Sequence, residues 1–145
     1  MTIARLVRRA TVDDIADIMA LRLSVRENRL SDPGHVTAED CLPYVQRGHL
    51  WVWEEDQEIL GFSARTCGTG WIWALFVRPG HEGRGIGRAL FAVACEALID
   101  SGFRILTLST DPDTRAADFY RAAGWRERGR TAEGELIFEF RTPST

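Results

Sequence analysis

No apolar run in this chain of 145 residues approaches the roughly 18 residues that a membrane-crossing helix needs, so no membrane span is expected. The first residues, Met1 to Arg5, lack the apolar core of a secretory signal. Cysteine is scarce. Cys41, Cys67 and Cys95 stand far apart, are odd in number, and are joined by no Cys-x-x-Cys pair or histidine cluster. A disulfide framework or a metal site is therefore not expected, whereas small thiols in a reducing cytoplasm are. An excess of basic charge is also missing. Lysine and arginine total 18 against 21 acidic residues, a net charge of −3, which argues against nucleic acid as the main partner. Internal repeats and low-complexity linkers are absent. What remains is 45% apolar and 27% charged, the composition of one globular domain over residues 1–145.

Hydrophobic periodicity divides the chain into alternating strands and helices. Ile3 to Arg9 reads as a short strand, and Asp13 and Asp14 suit the start of a helix whose Ile15, Ile18, Met19 and Leu23 recur at helical spacing to about Asn28. A loop at Ser31-Asp32-Pro33-Gly34 precedes a shorter helix from Thr37 to near Gly48. Leu50 to Trp53 and Ile59 to Thr66 read as a hairpin, and Trp71 to Arg78 as a strand apolar enough for burial on both faces. Ile86, Leu90, Val93, Ala94, Ala97 and Leu98 form the stripe of a long helix stopped at Ser101-Gly102. Arg104 to Thr110 is a further strand. Asp113 suits the cap of a helix carrying Ala116, Phe119, Tyr120 and Ala123 on one face. A hairpin from Trp125 to Arg141, turning at Ala132-Glu133-Gly134, completes the pattern.

The densest chemistry lies between the third of the long strands and the long helix, in Val77-Arg78-Pro79-Gly80-His81-Glu82-Gly83-Arg84-Gly85-Ile86-Gly87-Arg88. A strand that ends in a glycine turn and opens into a helix aims several unbonded N–H groups at one point. The helix dipole stands behind them, which makes an anion site suited to a pyrophosphate. Glycine lets the backbone approach phosphate oxygens and take positive φ. A dinucleotide fold would place such a turn after the first strand, with an acidic residue about 20 positions on, and a Walker loop would need Gly-Lys-Ser/Thr. Neither pattern is present.

Two motifs in this order resemble the GCN5-related N-acetyltransferases over roughly Ile3 to Phe140. Glu82-Gly83-Arg84-Gly85-Ile86-Gly87 is similar to the family's acyl-CoA signature, Gln/Arg-x-x-Gly-x-Gly/Ala, except at its first position. Phe119-Tyr120-Arg121-Ala122-Ala123-Gly124-Trp125 is similar to its second, a Phe-Tyr pair before Gly-aromatic. The resemblance implies an α/β fold with a mixed, mostly antiparallel sheet flanked by helices. It implies acetyl-CoA as cosubstrate, direct transfer to an amine, and backbone contacts from Leu75, Phe76 and Val77 to the pantetheine arm. It further implies that the amides around Gly83, Arg84, Gly85, Ile86, Gly87 and Arg88 take the pyrophosphate. Glu82 replaces the family's Gln or Arg, and is expected to face solvent or to pair with Arg84 or Arg88.

In the family the tyrosine at position 120 is the general acid. A phenol, with a pKa of about 10, can protonate a departing thiolate without ionising at neutral pH. The general base stays open among Glu27, Asp32 and Glu54, each also readable as a solvated carboxylate. Trp51 and Trp53, or Trp71 and Trp73, suit either an acceptor pocket for a cationic amine or the core. Arg22, Arg26 and Arg29 suit a solvated helix face better than an acidic acceptor. The expected acceptor is a small-molecule amine. A protein lysine or N-terminus is the alternative acceptor, and a non-catalytic acyl-CoA sensor is the alternative of a different class. Many relatives dimerise through C-terminal strands, so a homodimer is expected.

Overall fold

The computed structural model describes residues 6–26, 38–66, 68–112 and 115–142. Its elements are β1 (Val7–Arg9), α1 (Ile15–Arg26), α2 (Ala38–Gln46), β2 (Leu50–Glu55), β3 (Glu58–Arg65), β4 (Ile72–Val77), α3 (Ile86–Asp100), β5 (Ile105–Thr110), α4 (Arg115–Ala122), β6 (Arg126–Arg130) and β7 (Leu136–Arg141). The expected alternation is present. The start of the first strand, the Ser31–Gly34 loop and the Asp113 cap lie outside the described residues.

Four strands pair antiparallel in the order β1-β2-β3-β4, and three in the order β5-β7-β6. Between the two groups, β4 and β5 meet through one parallel bridge, Trp71 with Thr107, where the Thr107 N–H donates to the Gly70 carbonyl at 2.8 Å. The approach is close enough that a Cβ on Gly70 would lie 2.3 Å from the Ile105 carbonyl oxygen. Beyond the bridge, among the described residues, no ladder joins β4 to β5, which leaves the β4 edge open along Leu75 and Val77. That opening positions the site.

Local chemistry explains the framework. The β2–β3 hairpin turns at Asp56 and Gln57, with φ of 52° and 66°, the paired left-handed geometry that matches strand twist. The strands therefore extend through Glu55 and Glu58, further than the apolar pattern indicates. Thr11 and Asp14 form a capping box before α1. Arg8 clamps the same carboxylate with bonds of 2.7 and 2.9 Å and also donates to Glu54 at 3.0 Å, fastening β1, the helix start and β2 together. On α1 the buried residues are Ile15, Ile18, Leu21 and Arg22, whereas Leu23 is 51% exposed, so the core face is rotated from the expected one.

One apolar core lies between the sheet and α3 with α4, the other between β1–β4 and α1 with α2. Helix α3 sits tightly on β3. The buried Ser63 hydroxyl donates to the Leu90 carbonyl at 3.0 Å, and a Cβ on Gly61 would lie 2.8 Å from Leu90 Cδ1. Trp51 and Trp53, 5% and 3% exposed, belong to this first core, which settles their reading against an acceptor pocket. Ala117 rather than Ala123 is the buried alanine of α4. Among the described residues no helix is long and apolar enough to cross a membrane.

Candidate active site

A cavity of about 530 Å³ occupies the opening between β4 and α4, closed at one end by the glycine turn. The turn takes its shape from three left-handed glycines, Gly80, Gly83 and Gly85, at φ of 92°, 80° and 88°. Gly85 is the N-cap of α3, so the N–H groups of Ile86, Gly87 and Arg88 have no acceptor within the helix. Gly87 differs. Its φ is not left-handed, and a Cβ there would meet only Val77 Cγ2 at 3.4 Å. Space for a ligand, rather than backbone strain, is what a side chain at Gly87 would remove.

The strand wall follows from register. Arg78 donates its N–H to the Leu60 carbonyl, and Phe76 lies opposite Phe62. In an antiparallel ladder alternate residues turn their N–H and C=O groups to the partner, so Phe76 is committed to β3. Leu75 and Val77 turn theirs to the opening, and both line the cavity. The Phe76 side chain lies on the opposite face, its ring 5.2 Å from Phe62 and under the Arg22 guanidinium at 5.4 Å. Of the three strand residues named from the sequence, two meet the opening and Phe76 does not. A bulge contributes: Ala64 pairs with Ala74 and Arg65 with Ile72, so Trp73 is the extra residue and is swung toward Tyr44 at 5.0 Å.

Glu82 is exposed, the first of the two outcomes expected for it. The Glu82 carboxylate accepts the Gly80 N–H at 2.9 Å, folding onto its own turn instead of pairing with Arg84 or Arg88. Arg84 reaches away from the cavity lining and grips Glu55 with bonds of 2.8 and 2.9 Å, and its other nitrogen meets His81 Nδ1 at 3.0 Å. A hydrogen bond from the Trp53 indole and these bonds from Arg84 hold the Glu55 carboxyl below its ordinary range. Arg84 thus ties the glycine turn to the β2–β3 hairpin. The cavity is lined by Glu82, Gly83, Gly85, Ile86, Gly87 and Arg88 on this side.

Tyr120 forms the opposite wall. It is 5% exposed, lines the cavity, and sits in an aromatic box with ring centroids of Phe91, Phe119, Phe138 and Trp125 at 5.4, 5.5, 5.8 and 6.1 Å. Burial, and secondarily the neighbouring Cys95, push its phenol well above the ordinary value, so it stays protonated throughout the neutral range. Burial also pushes the Cys95 thiol up to about 12 and raises that of Cys41. Neither is a thiolate at neutral pH. Cys67 lies outside the described residues.

Among the base candidates, Glu54 accepts from Arg8 and does not line the cavity, and Glu27 and Asp32 lie outside the described residues. Arg29 and the Arg26 side chain also lie outside them. Arg22, expected on a solvated face, is 4% exposed beneath α1. Four cavity residues were not among the site residues expected from the sequence: His81, Arg115, Ala116 and Phe119. Arg115 had a usable signal, its position four residues before Phe119 on one helical face.

A model of the acetyltransferase (GNAT) family matches residues 15–125. The chain is 45% identical over 56 residues to the peptidyl-lysine N-acetyltransferase YiaC of Escherichia coli, covering 35% of this chain and 38% of that protein. It is 32% identical over 101 residues to the mycothiol acetyltransferase of Streptomyces avermitilis, covering 66% of this chain and 32% of that one. The alignments thus span 38% and 32% of these relatives, about a third of each. In fold it matches the PaiA N-acetyltransferase of Thermoplasma acidophilum, solved with coenzyme A, at a TM-score of 0.76 and 15% identity over 93% of this chain and 97% of the other.

Proposed function

The chain belongs to the acetyltransferase (GNAT) family, and on that premise we propose that it transfers the acetyl group of acetyl-CoA directly to the amine of a small-molecule acceptor. The observation that carries this reading is a single cavity with a left-handed glycine turn at one end, an unpaired strand edge along one wall and a buried tyrosine facing it. A pyrophosphate suits the amides from Gly83 to Arg88, and the amide-bearing pantetheine arm suits the free backbone groups of Leu75 and Val77, as an added strand would. The cavity is apolar along Ile86 and Phe119, which fits an extended thioester arm.

The reaction needs three things from this chain. The thioester carbonyl is polarised by N–H groups at the strand opening, which stabilise the oxyanion as the amine attacks. The carbon–sulfur bond then breaks, and the leaving thiolate takes a proton or hydrogen bond from the Tyr120 hydroxyl. Burial that raises the phenol also strips hydration from the thiolate, so its proton affinity rises alongside. The amine gives up its proton to water, and solvent restores the phenol. A raised thiol at Cys95 and at Cys41 supports direct transfer over an acyl-enzyme, since a nucleophilic cysteine must be a thiolate.

A protein lysine is the second reading of the acceptor, favoured by the identity to YiaC. The test is acetyl-CoA-dependent thiol release over a panel of free amines and lysine peptides. Turnover of free amines is expected. Turnover confined to peptides would replace the small-molecule reading, and binding without turnover on any acceptor would favour a sensor.

A further inference from the structure

The glycine turn has little packing to hold its shape. Among the described residues a Cβ on Gly80, Gly83 or Gly85 would meet nothing within 4 Å, and left-handed glycines leave the backbone much freedom to lose. Polar tethers hold the turn instead, and they run to the β2–β3 hairpin from both of its ends. At the start, the Arg78 guanidinium donates to the Ile59 carbonyl at 3.1 and 3.3 Å, beside the bond from the Arg78 N–H to the Leu60 carbonyl at 2.8 Å. At the far end, one Arg84 nitrogen bridges both oxygens of Glu55 at 2.8 and 2.9 Å. Glu55 is fixed in turn by the buried Trp53 indole, which donates to it at 3.1 Å.

An arginine in an anion-binding turn has two ways to act: it offers its charge to the anion, or it fixes the amides that do. Here the Arg84 guanidinium is committed to a carboxylate on the hairpin, and Arg84 is absent from the cavity lining. Amides bind an anion well only when they already point at one spot, because reorganising them costs binding energy. On the acetyl-CoA reading above, on which this depends, we infer that Glu55 is a positioning residue for the cofactor. Paired with Arg84, it holds the glycine turn in its anion-binding form, although Glu55 does not line the cavity. Charge alone predicts the opposite effect. Glu55 is an anion bonded to the turn, so neutralising it should tighten the binding of a polyanion. Loss of the tether should weaken it.

Calorimetric titration of coenzyme A into the wild type, Glu55→Gln, Arg84→Gln and the double variant tests this. Glu55→Gln keeps the size of the side chain and should raise the dissociation constant by roughly threefold to tenfold, the scale of a partly exposed, charge-assisted pair. Arg84→Gln should lose as much, and the double variant no more than either single, since each change breaks the same tether. With an amine that turns over, KM for acetyl-CoA should rise by the same factor while kcat at saturation stays within about twofold, because Tyr120 and the strand opening are untouched. Both side chains are partly exposed, 29% for Glu55 and 41% for Arg84, so the free variants should fold. An unchanged or lower dissociation constant in Glu55→Gln would overturn the inference, and a lower melting temperature alone would leave the pair as framework. Losses that add in the double variant would overturn it too, by putting Arg84 on the phosphate itself. If coenzyme A does not bind the wild type, the acetyl-CoA reading itself falls, and this inference with it.

Discussion

Replacing Tyr120 by phenylalanine removes one oxygen from the cavity wall and leaves the ring. The ring makes the packing contacts, with four aromatic neighbours between 5.4 and 6.1 Å, so the variant should fold and melt close to the wild type. The proton is what disappears. A positioned general acid contributes at least about 10²-fold, or roughly 2.7 kcal/mol of barrier, and kcat should fall by that factor. The Michaelis constant for acetyl-CoA should hardly change, because the glycine turn and the Leu75–Val77 edge remain intact. A second readout comes from alkali. Burial raises the phenol in the folded state, so the folded chain keeps this proton at pH values where the unfolded chain has released it. Stability therefore falls as pH rises past the ordinary phenol value of about 10 and goes on falling toward the folded one. Tyr120→Phe should lose that contribution and resist alkaline unfolding better. Steady-state kinetics from pH 6 to 10 and an alkaline melting series measure both effects. Full turnover in the phenylalanine variant, with an unchanged pH profile, would refute the acid role and leave Tyr120 as packing alone.

The remaining predictions address cofactor, framework and assembly. Gly87→Val should abolish the rise in melting temperature that acetyl-CoA gives the wild type, while the free variant still unfolds cooperatively, since that site has ordinary φ and room beside Val77. An unchanged dissociation constant would remove the argument from the glycine turn. Asp14→Asn should lower the melting temperature at pH 7 by roughly 3–8 °C through the lost cap and Arg8 clamp. Arg8 holds the Asp14 carboxyl below its ordinary value, so its contribution is present above that value and fades as pH falls through the folded one. The variant should accordingly lose less stability on acidification, and a parallel acid melting curve would disprove this. A homodimer through the C-terminal hairpin, whose β6 is an edge strand, should sediment at twice the 16.3 kDa chain mass. A species of chain mass at micromolar concentration would count against it.

Much was settled by sequence alone. Order and type of the elements followed from local causes: alternation in β7, the 3.6-residue stripe of α3, and the Asp13-Asp14 and Gly102 signals that start and stop helices. The glycine turn could be read as an anion site because its geometry depends on residues within a few positions of one another. Tyr120 was singled out through its motif, and it lines the cavity. Tertiary structure decided everything that required a second element. That Phe76 turns its backbone to β3 while Leu75 and Val77 face the opening depends on ladder register and on the bulge at Trp73. The direction of Arg84 depends on Glu55, 29 residues earlier, and the burial of Arg22 on a helix rotation that apolar spacing did not reveal. The approach of Arg88 to the Phe119 ring likewise exists only once α3 and α4 flank one cavity. Side-chain charge is written in the sequence, but its partner is chosen by packing.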